Sequence, residues 1–263
     1  AVVRIADGPN GWEVVQTPEV ESAFVAMNTV DGAVRAMVGG FDYNRSKFNR
    51  VTQSIRQPGS SFKPFIYSAA LEKGFTPATV VNDAPFYVPA DKAGGEDWEP
   101  KNYDAKFEGP MRVRTALAKS KNLVTVRVLQ AIGPQYAQDY IARFGFDPKL
   151  HPPFLTMGLG AGSVTPMQMV AAYAILANGG YRVAPFLIAK VVDGKGNVLS
   201  EATPQVAGEN AERALDPRNA FLMTSLLKDV IAHGTGARAL SLGRRDLAGK
   251  TGTTNENVDA WFC

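Results

Sequence analysis

Two periodicities divide the chain. Between residues 21 and 40, apolar and polar positions run with a short period. Glu21-Ser22-Ala23-Phe24-Val25-Ala26-Met27-Asn28 and Gly32-Ala33-Val34-Arg35-Ala36-Met37-Val38-Gly39-Gly40 read as two strands. Thr29-Val30-Asp31, before Gly32, has the composition of a hairpin connection. Residues 1 to about 20 read as a loop-rich lead-in around the turn cluster Asp7-Gly8-Pro9-Asn10-Gly11. From Ser60 onward the period becomes helical. Ser60 is expected to open a helix that Phe65-Ile66-Tyr67-Ser68-Ala69-Ala70-Leu71 continues and Gly74-Phe75-Thr76-Pro77 ends. Further helices are expected over 112–119, 123–132, 134–144, 165–178 and 221–231, the last opened by Asp216-Pro217. Residues 78–110 read as a long irregular excursion containing Trp98, Asn102 and Tyr103, and loops of that length are as a rule functional or partner-facing. Strand character returns at 186–199 and around 247–263. Strands, then helices, then strands argue for an α+β fold.

Composition changes this picture little. The 263 residues are long enough to bury a sizeable core, and 45% hydrophobic with 20% charged residues is ordinary for a globular protein. A formal charge of +3, with no basic run interleaved with aromatics, does not argue for nucleic acid as a partner. There is no apolar run long enough to span a membrane and no signal peptide. Because the chain begins with Ala, it reads as a piece of a longer protein or a processed one. Cys263 is the single cysteine, which excludes an internal disulfide. With only His151 and His233, neither in metal-ligand spacing, no metal site and no histidine-based triad are expected. His151 precedes Pro152-Pro153 and His233 precedes Gly234-Thr235-Gly236, so both are expected at the surface or at a helix end.

The candidate chemistry sits in Arg56-Gln57-Pro58-Gly59-Ser60-Ser61-Phe62-Lys63-Pro64-Phe65. A serine hydroxyl is a weak nucleophile and needs an adjacent base. Lys63 lies one helical turn from Ser60, on the same face, and is read as the proton acceptor. The backbone N–H of Ser60, at a helix N-terminus, favours developing negative charge. The pattern S-x-x-K arises about once by chance in a chain of this length. A second copy, Ser225-Leu226-Leu227-Lys228, lies within an amphipathic helix and is read as structural. Gly158-Leu159-Gly160-Ala161-Gly162-Ser163 resembles a phosphate-cradling loop. It lacks the third glycine and a preceding strand, so it is read as a turn packed closely into the next helix.

Two further motifs follow Ser60-x-x-Lys63 in order: Ser120-Lys121-Asn122 and Lys250-Thr251-Gly252. The three together are the known motif set of penicillin-binding proteins and class A β-lactamases, recognised here as a pattern and not deduced from spacing. A structural alternative, with a surface pair, a helix cap and a strand-edge turn, requires three independent coincidences. Flanking stretches extend the match: Phe48-Asn49-Arg50, Trp98-Glu99-Pro100-Lys101-Asn102-Tyr103, Ala116-Leu117-Ala118-Lys119, Val164-Thr165-Pro166-Met167-Gln168-Met169, Thr253-Thr254 and Asp259-Ala260-Trp261-Phe262. On these residues the chain, from about residue 21 to its end, resembles the transpeptidase domain of class A bifunctional high-molecular-weight penicillin-binding proteins of the 1A type.

That resemblance implies a fold, a reaction and a set of roles. The fold is α+β, an antiparallel sheet flanked by helices with an all-helical subdomain, over residues 21–263 after a lead-in at 1–20. The reaction is D,D-transpeptidation: Ser60 attacks the penultimate D-alanine of a peptidoglycan stem peptide, releases D-alanine and passes the acyl group to an amine. Lys63 takes the Ser60 proton, Ser120 relays a proton to the leaving amine, and Asn122 holds Lys63 and the substrate amide. Thr251, Gly252 and Thr253 bind the substrate end, Lys250 supplies positive potential, and the backbone N–H groups of Ser60 and Thr253 form the oxyanion hole. No cofactor is implied. The implied partners are stem peptides, β-lactams as covalent inhibitors and other cell-wall synthesis proteins. The implied location is the periplasmic face of the inner membrane, with membrane contact only through parts of a longer parent.

Rival readings are a serine β-lactamase, a D,D-carboxypeptidase and a β-lactam-sensing module that acylates without turnover. Class A β-lactamases carry a glutamate followed four residues later by asparagine between the second and third motifs. Here Glu201, Glu209 and Glu212 are followed at that spacing by Gln205, Arg213 and Asp216. The family's domain continues beyond Trp261-Phe262 with further strand and a C-terminal helix. The chain by itself is therefore expected to be poorly folded or weakly active.

Overall fold

The computed structural model describes residues 3–16, 18–254 and 258–263. β1 (Arg4–Gly8) and β2 (Gly11–Val15) form an antiparallel hairpin with Arg4 opposite Val15. The expected lead-in loop is therefore a hairpin whose turn was correctly placed. Its apolar residues Ile5, Trp12 and Val14 are all more than half exposed, so no buried face marked the strands. β3 (Phe24–Met27) and β4 (Val34–Val38) form the expected second hairpin, and Ala33 bridges in parallel to Phe186.

The short helix α1 (Arg50–Gln53) then leads to α2 (Lys63–Glu72). The excursion is less irregular than its composition implies. β5 (Val80–Asp83) pairs with β6 (Gly109–Arg112), closing it at the base, and the short α3 (Ala90–Ala93) and a Val88–Trp98 bridge lie inside it. Five helices carry most of the remaining core: α4 (Val113–Ala118), α5 (Asn122–Ile132), α6 (Pro134–Ile141), α7 (Pro166–Ala177) and, later, α8 (Pro217–His233). Between α7 and α8 lie β7 (Tyr181–Arg182), β8 (Lys190–Val192), β9 (Val198–Glu201) and β10 (Glu212–Arg213). β11 (Thr251–Thr253) and β12 (Ala260–Phe262) end the chain as an antiparallel pair. Among the described residues every strand pair is antiparallel and two-stranded, which agrees with the α+β expectation.

The core is built around α2. Residues 63–70 are all buried, so this helix has no solvent face and must be contacted on every side. α5, α6 and α8 pack against it. Phe62 and Phe65 seal its N-terminal end against Phe146, with ring centroids 5.2 and 4.9 Å away. Buried hydroxyls on the helix are satisfied in place: the Ser68 hydroxyl donates to Asn219 Oδ1 at 2.8 Å, and Asn219 Nδ2 donates to the Ser68 carbonyl at 2.9 Å. Among the described residues no strand pairing joins the β3–β4 and β11–β12 hairpins. A cleft of about 690 Å³ lies between them, bordered by Phe24, Met169, Tyr173 and Trp261.

His151 departs from its expected place. It is 1% exposed, stacked on Phe62 at 4.8 Å with the rings 12° apart, and Phe146 stands edge-on to it at 5.4 Å. Pro152-Pro153 marked a loop correctly, but the loop folds over an aromatic cluster. Burial pushes the imidazole pKa down to about 4, and Nδ1 has no hydrogen-bond partner. A depressed histidine pKa makes the unfolded chain the stronger proton binder between the two values. Stability is thus intact above pH 6.5 and falls as the pH drops toward 4, by about 3 kcal/mol from this group. His151→Phe is expected to remove that part of the acid sensitivity, as read from thermal midpoints at pH 7 and pH 4.5. An unchanged pH slope would show that the loss comes from other groups.

Candidate active site

Ser60 does not open the α-helix itself. It lies in a 3₁₀ turn, Gly59–Phe62, and α2 begins at Lys63. The Lys63 backbone N–H donates to the Ser60 carbonyl, so the turn winds directly into the helix. Gly59 has φ +53°, a conformation open to glycine at little cost. A Cβ there would stand 2.7 Å from the Thr253 carbonyl oxygen. Gly160 and Gly252 close in likewise: a Cβ on Gly160 would lie 2.2 Å from the Gly59 carbonyl oxygen, and one on Gly252 2.5 Å from that of Pro58. The glycine-rich run at 158–163 is thus a packing turn, as expected, and it packs on the serine turn itself. Three side chains brace this turn from outside. The Tyr173 hydroxyl donates to the Ser61 carbonyl at 2.7 Å, Trp261 Nε1 to the Gln57 carbonyl at 3.0 Å, and Arg56 pairs with Asp259 at 2.8 Å.

The second motif stands at the junction of α4 and α5. Ser120 has φ +58°, a left-handed conformation unusual for a side-chain-bearing residue and worth attention at a functional site. Its neighbours hold it there. Lys121, 3% exposed, reaches Glu108 at 2.9 Å, Asp104 at 3.1 Å and Asp83 at 3.5 Å. Asn102 Nδ2 donates to Asp83 Oδ1 at 2.7 Å while its Oδ1 accepts the Asn122 backbone N–H at 2.9 Å. This fixes the first turn of α5. The Asn122 amide is oriented in turn, because Nδ2 donates to the Lys101 carbonyl at 2.7 Å. Lys101 and Asn102 come from the excursion, whose functional reading finds support here.

Lys63 and Lys250 converge on this junction. Lys63 Nζ donates to the Ser120 carbonyl and to Asn122 Oδ1, both at 2.7 Å, and lies 3.3 Å from Ser120 Oγ. Lys250 Nζ donates to Ser120 Oγ at 2.8 Å and to the Thr251 carbonyl at 3.0 Å. Both lysines are fully buried, and every one of these acceptors is uncharged. Burial, and after it the neighbouring Lys250 charge, pushes the Lys63 pKa well below its ordinary value. Burial lowers that of Lys250 to about 7. The hydrogen bonds of Lys63 run to Ser120 and Asn122, and Ser60 is not among their acceptors.

The third motif is an edge presented to the serine turn. Lys250 and Cys263 exchange both backbone hydrogen bonds, and the Thr254 N–H donates to the Asp259 carbonyl. In an antiparallel pair such exchanges alternate. Thr251 and Thr253 therefore direct their backbone N–H and C=O groups away from β12, toward the side where the Thr253 carbonyl meets Gly59. All eight residues expected at the site thus lie in three stretches that meet: Ser60 and Lys63 on the turn and α2, Ser120 and Asn122 at the α4–α5 junction, and Lys250 just before β11 with Thr251, Gly252 and Thr253 on it.

A family model described as penicillin binding protein transpeptidase domain matches residues 22–260. The chain belongs to this transpeptidase family. It is 50% identical over 262 residues to penicillin-binding protein 1A of Neisseria lactamica, spanning 100% of this chain and 33% of that protein. The crystal structure of penicillin-binding protein 1A from Haemophilus influenzae superimposes with a TM-score of 0.94 at 39% identity, covering 99% of this chain and 44% of the other. PonA1 from Mycobacterium tuberculosis in complex with penicillin V matches with a TM-score of 0.76 at 26% identity, covering 93% and 67%. The chain spans about a third of the length of the curated relatives it matches.

Membership in the penicillin-binding transpeptidases accounts for the three motifs. It does not account for residues to which the sequence assigned no role. Tyr173, Lys121 and Asp83 brace the site, yet they lie in stretches that read as helix interior or loop. Thr235, at the end of α8, was read only as part of a helix stop, and its hydroxyl lies 2.6 Å from that of Thr251. Ser225, of the second S-x-x-K, accepts a hydrogen bond from Arg114 at 3.0 Å and is structural, as expected.

Proposed function

We propose that the chain carries a peptidoglycan D,D-transpeptidase site acting through an acyl-enzyme on Ser60. The observation that carries this reading is the buried pair Lys63 and Lys250 around Ser120 Oγ, with no carboxylate of the described residues among their hydrogen-bond partners. Burial pushes the Lys63 pKa well below its ordinary value, which favours the neutral amine that accepts a proton. In the proposed reaction the Ser60 hydroxyl proton passes to Lys63 as Oγ bonds to the carbonyl carbon of the penultimate D-alanine. Negative charge gathers on the carbonyl oxygen, opposite the N–H groups of Ser60 and Thr253. The C–N bond then breaks, and the proton travels from Lys63 through Ser120 to the departing nitrogen of D-alanine. An acceptor amine attacks the resulting ester, forms the new amide and returns a proton to Ser60 Oγ.

Asn122, fixed by Lys101 and Lys63, holds the substrate amide. Thr251 and Thr253, with the charge of Lys250, take the terminal carboxylate, and Gly252 lets β11 close on the serine turn. β-Lactams enter the same path and stop at the ester in this reading, and PonA1 is known in complex with penicillin V. This reading puts the site on the periplasmic face of the inner membrane, with stem peptides as donor and acceptor and cell-wall synthesis proteins as further partners. Among the described residues no helix is long and apolar enough to cross a membrane. Residues 21–263 form the catalytic unit in this reading.

The β-lactamase alternative needs a carboxylate to activate water at the ester. Glu201, Glu209 and Glu212 are all exposed, on β9, a turn and β10. Asp83, Asp104 and Glu108 are committed to Lys121. In this reading deacylation is slow. Intact mass after incubation with penicillin, with the adduct mapped by proteolysis, tests the proposal. One lasting adduct on the peptide containing Ser60 is expected. Steady accumulation of hydrolysed drug without an adduct would favour the β-lactamase, and an adduct on another residue would overturn the assignment of Ser60.

A further inference from the structure

We propose that Thr235 is a specificity-determining residue for the substrate's terminal carboxylate, acting together with Thr251; this rests on the acyl-transfer reading above. The Thr235 and Thr251 hydroxyl oxygens are 2.6 Å apart. Two hydroxyls at that distance share one proton, and the donated hydrogen bond leaves the other hydroxyl proton unshared. That second proton is free for a ligand oxygen, so the pair presents one oriented donor next to Lys250.

The turn that carries Thr235 is built to hold this position. α8 ends at His233, and the Thr235 backbone N–H donates to the carbonyl of Ala118, the last residue of α4, at 3.1 Å. Gly234 lies so close to that carbonyl that a Cβ would stand 2.3 Å from its oxygen. The Gly236 N–H closes the turn on the Val230 carbonyl at 2.9 Å. Thr235 thus touches α4 two residues before Ser120 through its backbone, and β11 through its side chain. It is exposed, as is Thr253, while Thr251 is half-buried. No hydrophobic packing explains a threonine there.

A carboxylate at this position meets the Lys250 charge, buried behind it, and hydroxyls from Thr251, Thr253 and Thr235. Hydrogen bonds to a charged ligand contribute more than neutral ones, and a site built to donate them discriminates against analogues that lack the charge.

The test uses the protein that carries these residues, as Thr235→Val and Thr235→Ser, with two thioester substrates that differ only in a terminal carboxylate or its primary amide. Valine keeps the shape and removes the hydroxyl, and serine restores it. Thr235→Val is expected to lower kcat/KM for the carboxylate substrate about 10-fold, chiefly through KM. It should leave the amide substrate within about 2-fold, and Thr235→Ser should recover most of the loss. Equal losses on both substrates would mark a structural role and overturn the proposal, as would a Val variant equal to the unsubstituted protein. Failure of the unsubstituted protein to acylate with either substrate would instead overturn the acyl-transfer reading on which this one rests.

Discussion

Lys63→Met is expected to abolish acylation without lowering the thermal midpoint. The lysine is fully buried and, among the described residues, hydrogen-bonds only to uncharged acceptors, so no opposite charge offsets the desolvation of its charged form. In the proposed reaction it must be neutral when Ser60 loses a proton. Methionine has similar length and no basicity, so the loss is that of a general base, about 10³-fold or more in the rate of adduct formation. Stability should behave differently. In the unfolded chain the lysine stays protonated up to its ordinary value of 10.5, while in the folded chain burial removes the proton at lower pH. Folding therefore becomes more favourable as pH rises from the folded pKa toward 10.5, and the penalty is greatest below that window. The methionine variant should lack this slope. Denaturant melts at pH 7 and pH 10 check it: a variant that keeps the slope, or that acylates normally, would remove Lys63 from the role of base.

Lys121→Met should have the opposite signature. This lysine is as deeply buried, but three carboxylates surround it. Burial alone would lower its pKa, yet the bonds to Glu108 and Asp104 and the charge of Asp83 outweigh burial and raise it. Removing the cation leaves Asp83, which is fully buried, with only the Asn102 amide and the Glu108 N–H as partners. Breaking a buried pair in this way costs about 4 kcal/mol. In a chain of this size the midpoint should fall roughly 10 °C. Acylation should weaken as well, because the same network holds Ser120 at φ +58° and fixes the start of α5 through Asn102. A midpoint within 2 °C of the unsubstituted protein, taken here as about the effect of a surface change, would show that the network is dispensable. Two buried lysines would thus fail in distinguishable ways, one chemically and one structurally.

Much of this was legible along the chain because each motif combines a reactive residue with local backbone grammar. Pro58-Gly59 marks a turn before Ser60, and Lys250-Thr251-Gly252 stands where strand character returns. The helices around α2 followed from their apolar spacing, with boundaries displaced by a few residues. What escaped reading depends on contacts across the fold. Lys121 looked like any polar residue between two helices, since its three partners come from positions 83, 104 and 108 in a stretch with no periodicity. His151 looked exposed because prolines follow it, and only Phe62 and Phe146 from elsewhere in the chain reveal its burial. The β1–β2 hairpin was missed because its apolar side chains cover nothing among the described residues. Thr235 lay inside a turn whose glycines read as punctuation, and its role is visible only from the position of Thr251.

The glycines around Ser60 have a dynamic consequence. On both sides of the serine turn the neighbouring surface is main chain: Gly160 against Gly59, Gly59 against Thr253, and Gly252 against Pro58. Side chains in a packed interior still hop between rotamers, whereas peptide planes held in regular hydrogen-bonded structure do not. The backbone that carries Ser60 is therefore positioned by stops that have no rotamers of their own. Its place should remain constant through the picosecond and nanosecond fluctuations of the surrounding side chains.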